Sequence, residues 1–174
     1  MRFSRIGYGS HSLLNEHIRR NKYKKILEIG VADGENAKTM VKIAIQNSLP
    51  EEVEYYGFDL FEGNRMEQVK QKLEETGCKF KLFKGDSVRT LPRVLKELPK
   101  MDLIFIDGGH SYEVARSDWG NSRSLMHEET AVFFHNYDFS GVKRVVDGIS
   151  REEYKVKIIH PPSDYAIAFV KKKA

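Results

Sequence analysis

Cysteine is nearly absent: Cys78 is the single one in 174 residues, which excludes a fold stapled by its own disulfides. No apolar run approaches the ~20 residues that a membrane-spanning helix requires. The stretch MRFSRIGYGSHSLLNEHIRRNKYKK also lacks the continuous apolar segment of ~7 to 15 residues of a secretory signal. A reducing, cytoplasmic setting away from the membrane is therefore expected. Fixed-period repeats, low-complexity tracts and Pro/Gly/Ser linkers are missing too, so one domain over residues 1–174 is expected, with 1–23 as a helical extension ahead of the first strand. Hydrophobic residues at 40% and charged residues at 31% describe a globular chain. The net charge of +4 raises a polyanionic partner. However, the lysines of IRRNKYKK, VKQKLEE and KKKA are spread mostly among glutamates, without the aromatic-basic interleaving of a single-strand groove. Nucleic acid is not the expected partner.

What is present is an alternation of β-rich runs with helical patterns. KKILEIGV (24–31), VEYYGFDL (53–60), KFKLFKGD (79–86), MDLIFID (101–107), TAVFFHNY (130–137), YKVKIIH (154–160) and YAIAFVKK (165–172) read as strands. Between them, ENAKTMVKIAIQNS, NRMEQVKQKLEETG, SVRTLPRVLKEL, SYEVARSDWGNSRSLM and SGVKRVVDGIS repeat apolar residues at helical spacing, and Gly77 closes the second of these. Such alternation predicts an α/β fold, a doubly wound, Rossmann-like sheet with helices on both faces. The last connection, PPSD, is too short for a parallel crossover. Six parallel strands and an antiparallel seventh are expected.

Ligands of open α/β sheets bind beyond the carboxyl ends of the strands. After the first strand comes LEIGVADGEN, in which Gly30 and Gly34 permit a tight turn and a close backbone approach. A dinucleotide fingerprint would place glycine at 30, 32 and 35, where this chain has Gly30, Ala32 and Glu35. Asp33 and Glu35 would repel a pyrophosphate there and tolerate a zwitterion or cation. The next three strands end in Asp59, Asp86 and Asp107. Asp59 is placed to accept ribose hydroxyls, whereas Asp86 with Ser87 either meets an adenine amine or caps the following helix. With Glu28 and Asp33 these acids line one edge of the sheet, which suits a nucleoside bearing positive charge.

These residues resemble the class I S-adenosylmethionine-dependent methyltransferases, from about Lys24 to Lys172. LEIGVADG is similar to the family's first motif with Ala32 at its middle glycine, and YYGFDL, FKGDS and DLIFIDGGHSY resemble the second, third and fourth. IDGGHSYEVARSDW and FFHNYDFSGVKRVVDGI are most similar to the small-molecule O-methyltransferases and their relatives. The resemblance implies S-adenosylmethionine as cofactor, with Glu28, Gly30, Ala32 and Gly34 around its methionine part, Asp59 on its ribose and Asp86 and Ser87 near its adenine. Asp33, Asn36, Leu60 and Asp107 complete the implied cofactor-binding set. A small-molecule hydroxyl is the implied methyl acceptor. A scaffold of the same fold without turnover, motivated by Ala32 and Asn136, and an RNA or protein methyltransferase are the rival readings.

Asp107 and His110 are the catalytic candidates. Gly108 and Gly109 turn the chain so that an imidazole follows a carboxylate at the strand end, and an imidazole accepts a hydroxyl proton close to neutrality. In many relatives the matching aspartate is a divalent-metal ligand or orients the acceptor. A metal such as Mg²⁺ would draw on Asp107, His135 and Asn136, with Asp138 nearby, but relatives that use a metal carry an acidic pair where this chain has His135 and Asn136. The alternative is structural, with Ser111 or His110 capping the next helix. Trp119, Tyr112 and Tyr137 read as core aromatics, with stacking on an acceptor as the alternative, and His11, His127 and His160 have no partner identifiable from sequence. SHSLLNEHIRR reads as an amphipathic helix that covers the cofactor edge or contributes to a homodimer contact.

Overall fold

The computed structural model describes residues 11–174. Seven strands form one sheet in the order β3-β2-β1-β4-β5-β7-β6. β1 (Lys25–Ile29), β2 (Glu54–Asp59), β3 (Lys79–Lys84), β4 (Met101–Ile106), β5 (Met126–Phe134) and β6 (Tyr154–Ile159) run one way. β7 (Ile167–Lys172) runs antiparallel between β5 and β6. This is the six-plus-one arrangement expected from the short PPSD connection.

Six helices connect and cover the strands: α1 (Ser12–Asn21), α2 (Glu35–Ile45), α3 (Arg65–Glu74), α4 (Ser87–Val94), α5 (Tyr112–Arg123) and α6 (Ser140–Asp147). Alternate strand residues sort to opposite faces. Ile29, Phe58, Ile106 and Phe134 pack with Leu91, Trp119 and Val146 from α4, α5 and α6. Ile26, Tyr55, Phe105 and Phe133 pack with Leu14, Met40 and Val69 from α1, α2 and α3. Each such burial contributes about 1.5–3 kcal/mol, and because both faces are covered the strands read as continuous apolar runs. Residues 1–10 of the expected N-terminal extension lie outside the described residues. From Ser12 the extension is helical, and Leu14 and Ile18 bury it against the sheet beside α2.

Two boundaries depart from the sequence reading. α4, with Pro92 inside it, ends at Val94 and gives way to a 3₁₀ turn at Leu95–Glu97. β5 begins at Met126 and stops at Phe134, which leaves His135 and Asn136 beyond its end. The early start is held from the side: His127 N–H donates to Thr130 Oγ1 at 2.8 Å, and His127 Nε2 lies 3.0 Å from Asp102 Oδ1. The early stop follows from Asn136, whose φ of +59° leaves the extended region. Among the described residues no helix is long and apolar enough to cross a membrane.

The order of the sheet makes β1 and β4 neighbours while their outgoing connections diverge, one toward β2 and the other toward β5. That divergence opens a crevice at their carboxyl ends.

Candidate active site

A cavity of about 320 Å³ occupies this crevice, lined by the β1–α2 loop, the residues after β4 and β5, the residue before α1 and the loop before β7. Two glycines permit the close approaches that shape it. A Cβ on Gly30, whose φ is +91°, would lie 2.0 Å from the Asp107 carbonyl oxygen. A Cβ on Gly141 would lie 2.2 Å from the His110 carbonyl oxygen. The first lets the β1–α2 loop cross beside Asp107, and the second lets α6 press against the turn that carries His110.

Glu28 forms the inner wall and is 1% exposed. Asn36 Nδ2 donates to its Oε1 at 2.8 Å, and the Tyr55 hydroxyl donates to its Oε2. Burial pushes the Glu28 carboxyl up to about 8, against the two hydrogen bonds, and the nearby Asp107 and Asp59 charges push the same way. The group is thus largely protonated at neutrality until a cation arrives beside it.

Asp59 does work within the protein. Its Oδ2 accepts from the backbone N–H of Val31 at 2.9 Å and of Ala32 at 3.0 Å, and its Oδ1 from Phe61 N–H at 2.7 Å. A carboxylate has about four lone-pair positions, so one remains for a ligand hydroxyl. Ala32 keeps a φ of +52°, the left-handed conformation natural to glycine at that position, and Phe61 at +46° and Asn136 at +59° are strained in the same sense. Of these, Ala32 and Asn136 line the cavity, where a site can over-determine its backbone.

On the opposite wall, Asp107 Oδ1 lies 3.0 Å from His135 Nδ1, and Asp164 Oδ1 lies 3.0 Å from His135 Nε2. Both partners of the ring are carboxylates, so both nitrogens donate and the imidazolium form is favoured. Burial pulls the His135 pKa down, but hydrogen bonds and attraction from Asp107, then Asp164, outweigh it and leave it raised. His11 Nδ1 lies 3.2 Å from Asp164 Oδ2. Its pKa is lowered, first by burial and then by His135, so it stays neutral. His110 Nε2 lies 2.6 Å from Asn136 Nδ2, and the His110 ring rests on Phe139 with centroids 4.4 Å apart.

Of the sequence-derived positions, Glu28, Gly30, Ala32, Asp33, Asn36, Asp59, Asp107, His110, His135 and Asn136 line the one cavity. Gly34 stands just behind it as the left-handed N-cap of α2. Leu60, Asp86 and Ser87 do not line it; Leu60 is exposed after β2, and Asp86 caps α4 by accepting from Val88 N–H at 3.0 Å. Ser111 caps α5. Asp107, His135 and Asn136 do not present a set of oxygens to a hard cation, since His135 sits between two carboxylates and the Asn136 amide nitrogen turns to His110. Asp138 Oδ2 instead accepts from Ala166 N–H at 2.7 Å. Trp119 is packed against Phe134 and Tyr154 in the core.

Sequence reasoning missed His11, Asp164 and Tyr165, all of which line the cavity. One signal was available. A reversed β7 begins where the parallel strands end, so its leading loop must hang over the same edge as Asp107.

Comparison with known proteins agrees with this fold. No curated protein matches the sequence. The fold is shared with the O-methyltransferase TomG from Streptomyces achromogenes, involved in tomaymycin synthesis and solved with S-adenosylmethionine, at a TM-score of 0.76 and 17% identity over 93% of this chain and 78% of that one. It is shared with CalS11, a TDP-rhamnose 3'-O-methyltransferase of calicheamicin biosynthesis, at 0.74 and 20% identity over 91% of this chain and 77% of that one. An O-methyltransferase from Bacillus cereus in complex with S-adenosylhomocysteine scores 0.75 at 14% identity over 97% of this chain and 84% of that one. A family model described as a methyltransferase domain matches residues 27–137, which run from β1 past the end of β5 and contain most of the cavity wall. The chain belongs to this methyltransferase domain family.

Proposed function

We propose that this methyltransferase takes S-adenosylmethionine as its donor and a hydroxyl group of a small molecule as its acceptor. The observation that carries the reading is the crevice between β1 and β4, where Glu28, Asp33, Asp59 and Asp107 face one cavity in a protein of net charge +4. The residues fit the donor. Four carboxyl groups suit a ligand with ammonium and sulfonium charges, and the left-handed Ala32 keeps the loop backbone close to the space the ligand would fill. Glu28, Gly30, Ala32, Asp33, Gly34 and Asn36 would surround the methionine part. Asp59 would offer its remaining lone pair to the ribose.

Bound there, the donor supplies an electrophilic methyl group. Asp107 orients the acceptor hydroxyl through its free oxygen, since its Oδ1 is held by His135. His110 takes the acceptor's proton once its Nε2 parts from the Asn136 amide. Phe139 and Tyr165, 38% and 52% exposed with ring centroids 5.4 Å apart, give the acceptor an apolar lip. TomG and CalS11 are O-methyltransferases, in line with a hydroxyl acceptor. A cytoplasmic, homodimeric enzyme is part of the same proposal and is checked by cell fractionation and light scattering.

Titration calorimetry with S-adenosylmethionine and S-adenosylhomocysteine tests the donor. Mass-spectrometric turnover over phenols, catechols and sugar hydroxyls tests the acceptor class. Saturable binding of both nucleosides with methylation of at least one hydroxyl is the expected result. Absence of binding by either nucleoside would overturn the reading.

A further inference from the structure

His11 precedes α1, His135 follows β5 and Asp164 precedes β7, yet one ligand atom from each lies within 4.8 Å of the others. Two contacts are much closer: His11 Nδ1 to Asp164 Oδ2 at 3.2 Å, and His135 Nε2 to Asp164 Oδ1 at 3.0 Å. The side chains of His11 and His135 are only 5% and 11% exposed, and all three residues stand on the cavity wall.

We infer that His11, His135 and Asp164 form a binding site for a divalent transition-metal ion of the Zn²⁺ class. Ligand atoms at about 2.0–2.2 Å from a tetrahedral Zn²⁺ are about 3.4 Å from one another. The two imidazole nitrogens reach separate oxygens of the Asp164 carboxylate, so an ion between the rings would take that carboxylate as a shared ligand once modest turns of the side chains close the set from its present 4.8 Å. The nitrogen-rich donor set favours such an ion over Mg²⁺, which prefers an all-oxygen octahedron. Asp107 supplies the outer support. Its Oδ1, 3.0 Å from His135 Nδ1, fixes the proton on that nitrogen and leaves Nε2 free to bind an ion, the carboxylate–histidine–metal arrangement of many zinc sites. Without the ion a proton holds His135 Nε2 to Asp164, so proton and metal compete for one place.

Charge favours occupancy. Asp33, Asp59, Asp107 and Asp164 share the cavity, and among the described residues no lysine or arginine lines it. Three protein ligands leave a fourth position toward the cavity, open to an oxygen of a small ligand. If the O-methylation reading holds, that oxygen is the acceptor hydroxyl, beside the Asp107 oxygen that orients it.

The test is titration calorimetry of Zn²⁺, and separately of Mg²⁺, into the chelator-treated full chain. One Zn²⁺ is expected to bind per chain, with no comparable heat from Mg²⁺. His11→Asn and Asp164→Asn, checked for folding by circular dichroism, are each expected to weaken Zn²⁺ at least about tenfold. A measurement on the unaltered chain guards against misfolded variants: Zn²⁺ should shift the imidazole proton resonances of His11 and His135 and leave those of His127 and His160 unmoved. Absence of saturable Zn²⁺ binding, or binding that shifts His127 or His160 instead, overturns the inference. Binding of S-adenosylmethionine is scored separately, so failure of the metal site and failure of the donor assignment are distinguishable.

Discussion

Replacing Glu28 with glutamine puts the electrostatics of the inner wall to a quantitative test. In the folded chain burial lifts the Glu28 carboxyl from its ordinary 4.5 to about 8. At about 1.4 kcal/mol per unit, a shift of this size corresponds to about 5 kcal/mol of stability. The sign follows from proton counting. Between the unfolded and folded values the native state holds more protons than the unfolded one, so this contribution is complete below about pH 4.5 and falls as pH rises through about 8. Glutamine has nearly the shape of the neutral acid. It retains an acceptor for Asn36 Nδ2 and offers a donor to the Tyr55 hydroxyl, while it cannot ionise. Urea unfolding of both proteins from pH 5 to pH 9 reads the effect, and their difference cancels every other titrating group they share. The two should be nearly equal at pH 5, with Glu28→Gln gaining to a lead of about 3–5 kcal/mol at pH 9. Parallel stability curves would refute the claim that Glu28 is held protonated.

Three further outcomes follow from the same site. Ala32→Gly should raise stability by about 0.5–1 kcal/mol, because relief of a left-handed alanine, about 1–2 kcal/mol, exceeds the added freedom of the unfolded chain. A lower melting temperature would show that Ala32 is not strained. Asp59→Ala should cost about 3 kcal/mol in urea unfolding with no ligand present, since three backbone N–H groups lose a charged acceptor; unchanged stability would mean that the carboxylate serves a ligand alone. Asp107→Ala should reduce turnover at least about a hundredfold while S-adenosylmethionine binding persists by calorimetry, and retained turnover would remove Asp107 from the reaction.

The strands and their directions were legible because the information is local. Four apolar residues in a row before Asp107, and four residues between the last two strands, are constraints that no distant contact has to supply. Local chemistry also placed Asp86 and Ser111 at helix starts, where each now accepts from a backbone N–H. The end of β5 was not legible, because Asn136 reads as a strand residue until its left-handed backbone is seen. The pairing of His11 with Asp164 spans most of the chain and carries no spacing signal, so His11 looked partnerless and Asp164 looked like a turn residue. Asp59 shows a subtler gap. Its position in the cavity was readable from the strand end, but two of its three backbone hydrogen bonds depend on the path of a loop 27 and 28 residues earlier.

The backward run of β7 has a consequence for how the pocket comes into being. Its feeding turn supplies Asp164 and Tyr165, so the wall facing Glu28 stays incomplete until the chain has been laid down past residue 165. A ligand that needs both walls can recognise only a finished fold. Occupancy should therefore lock the hairpin of β6 and β7 to the helix at residue 12, and make a nicked or half-built chain behave as if it had never had a site.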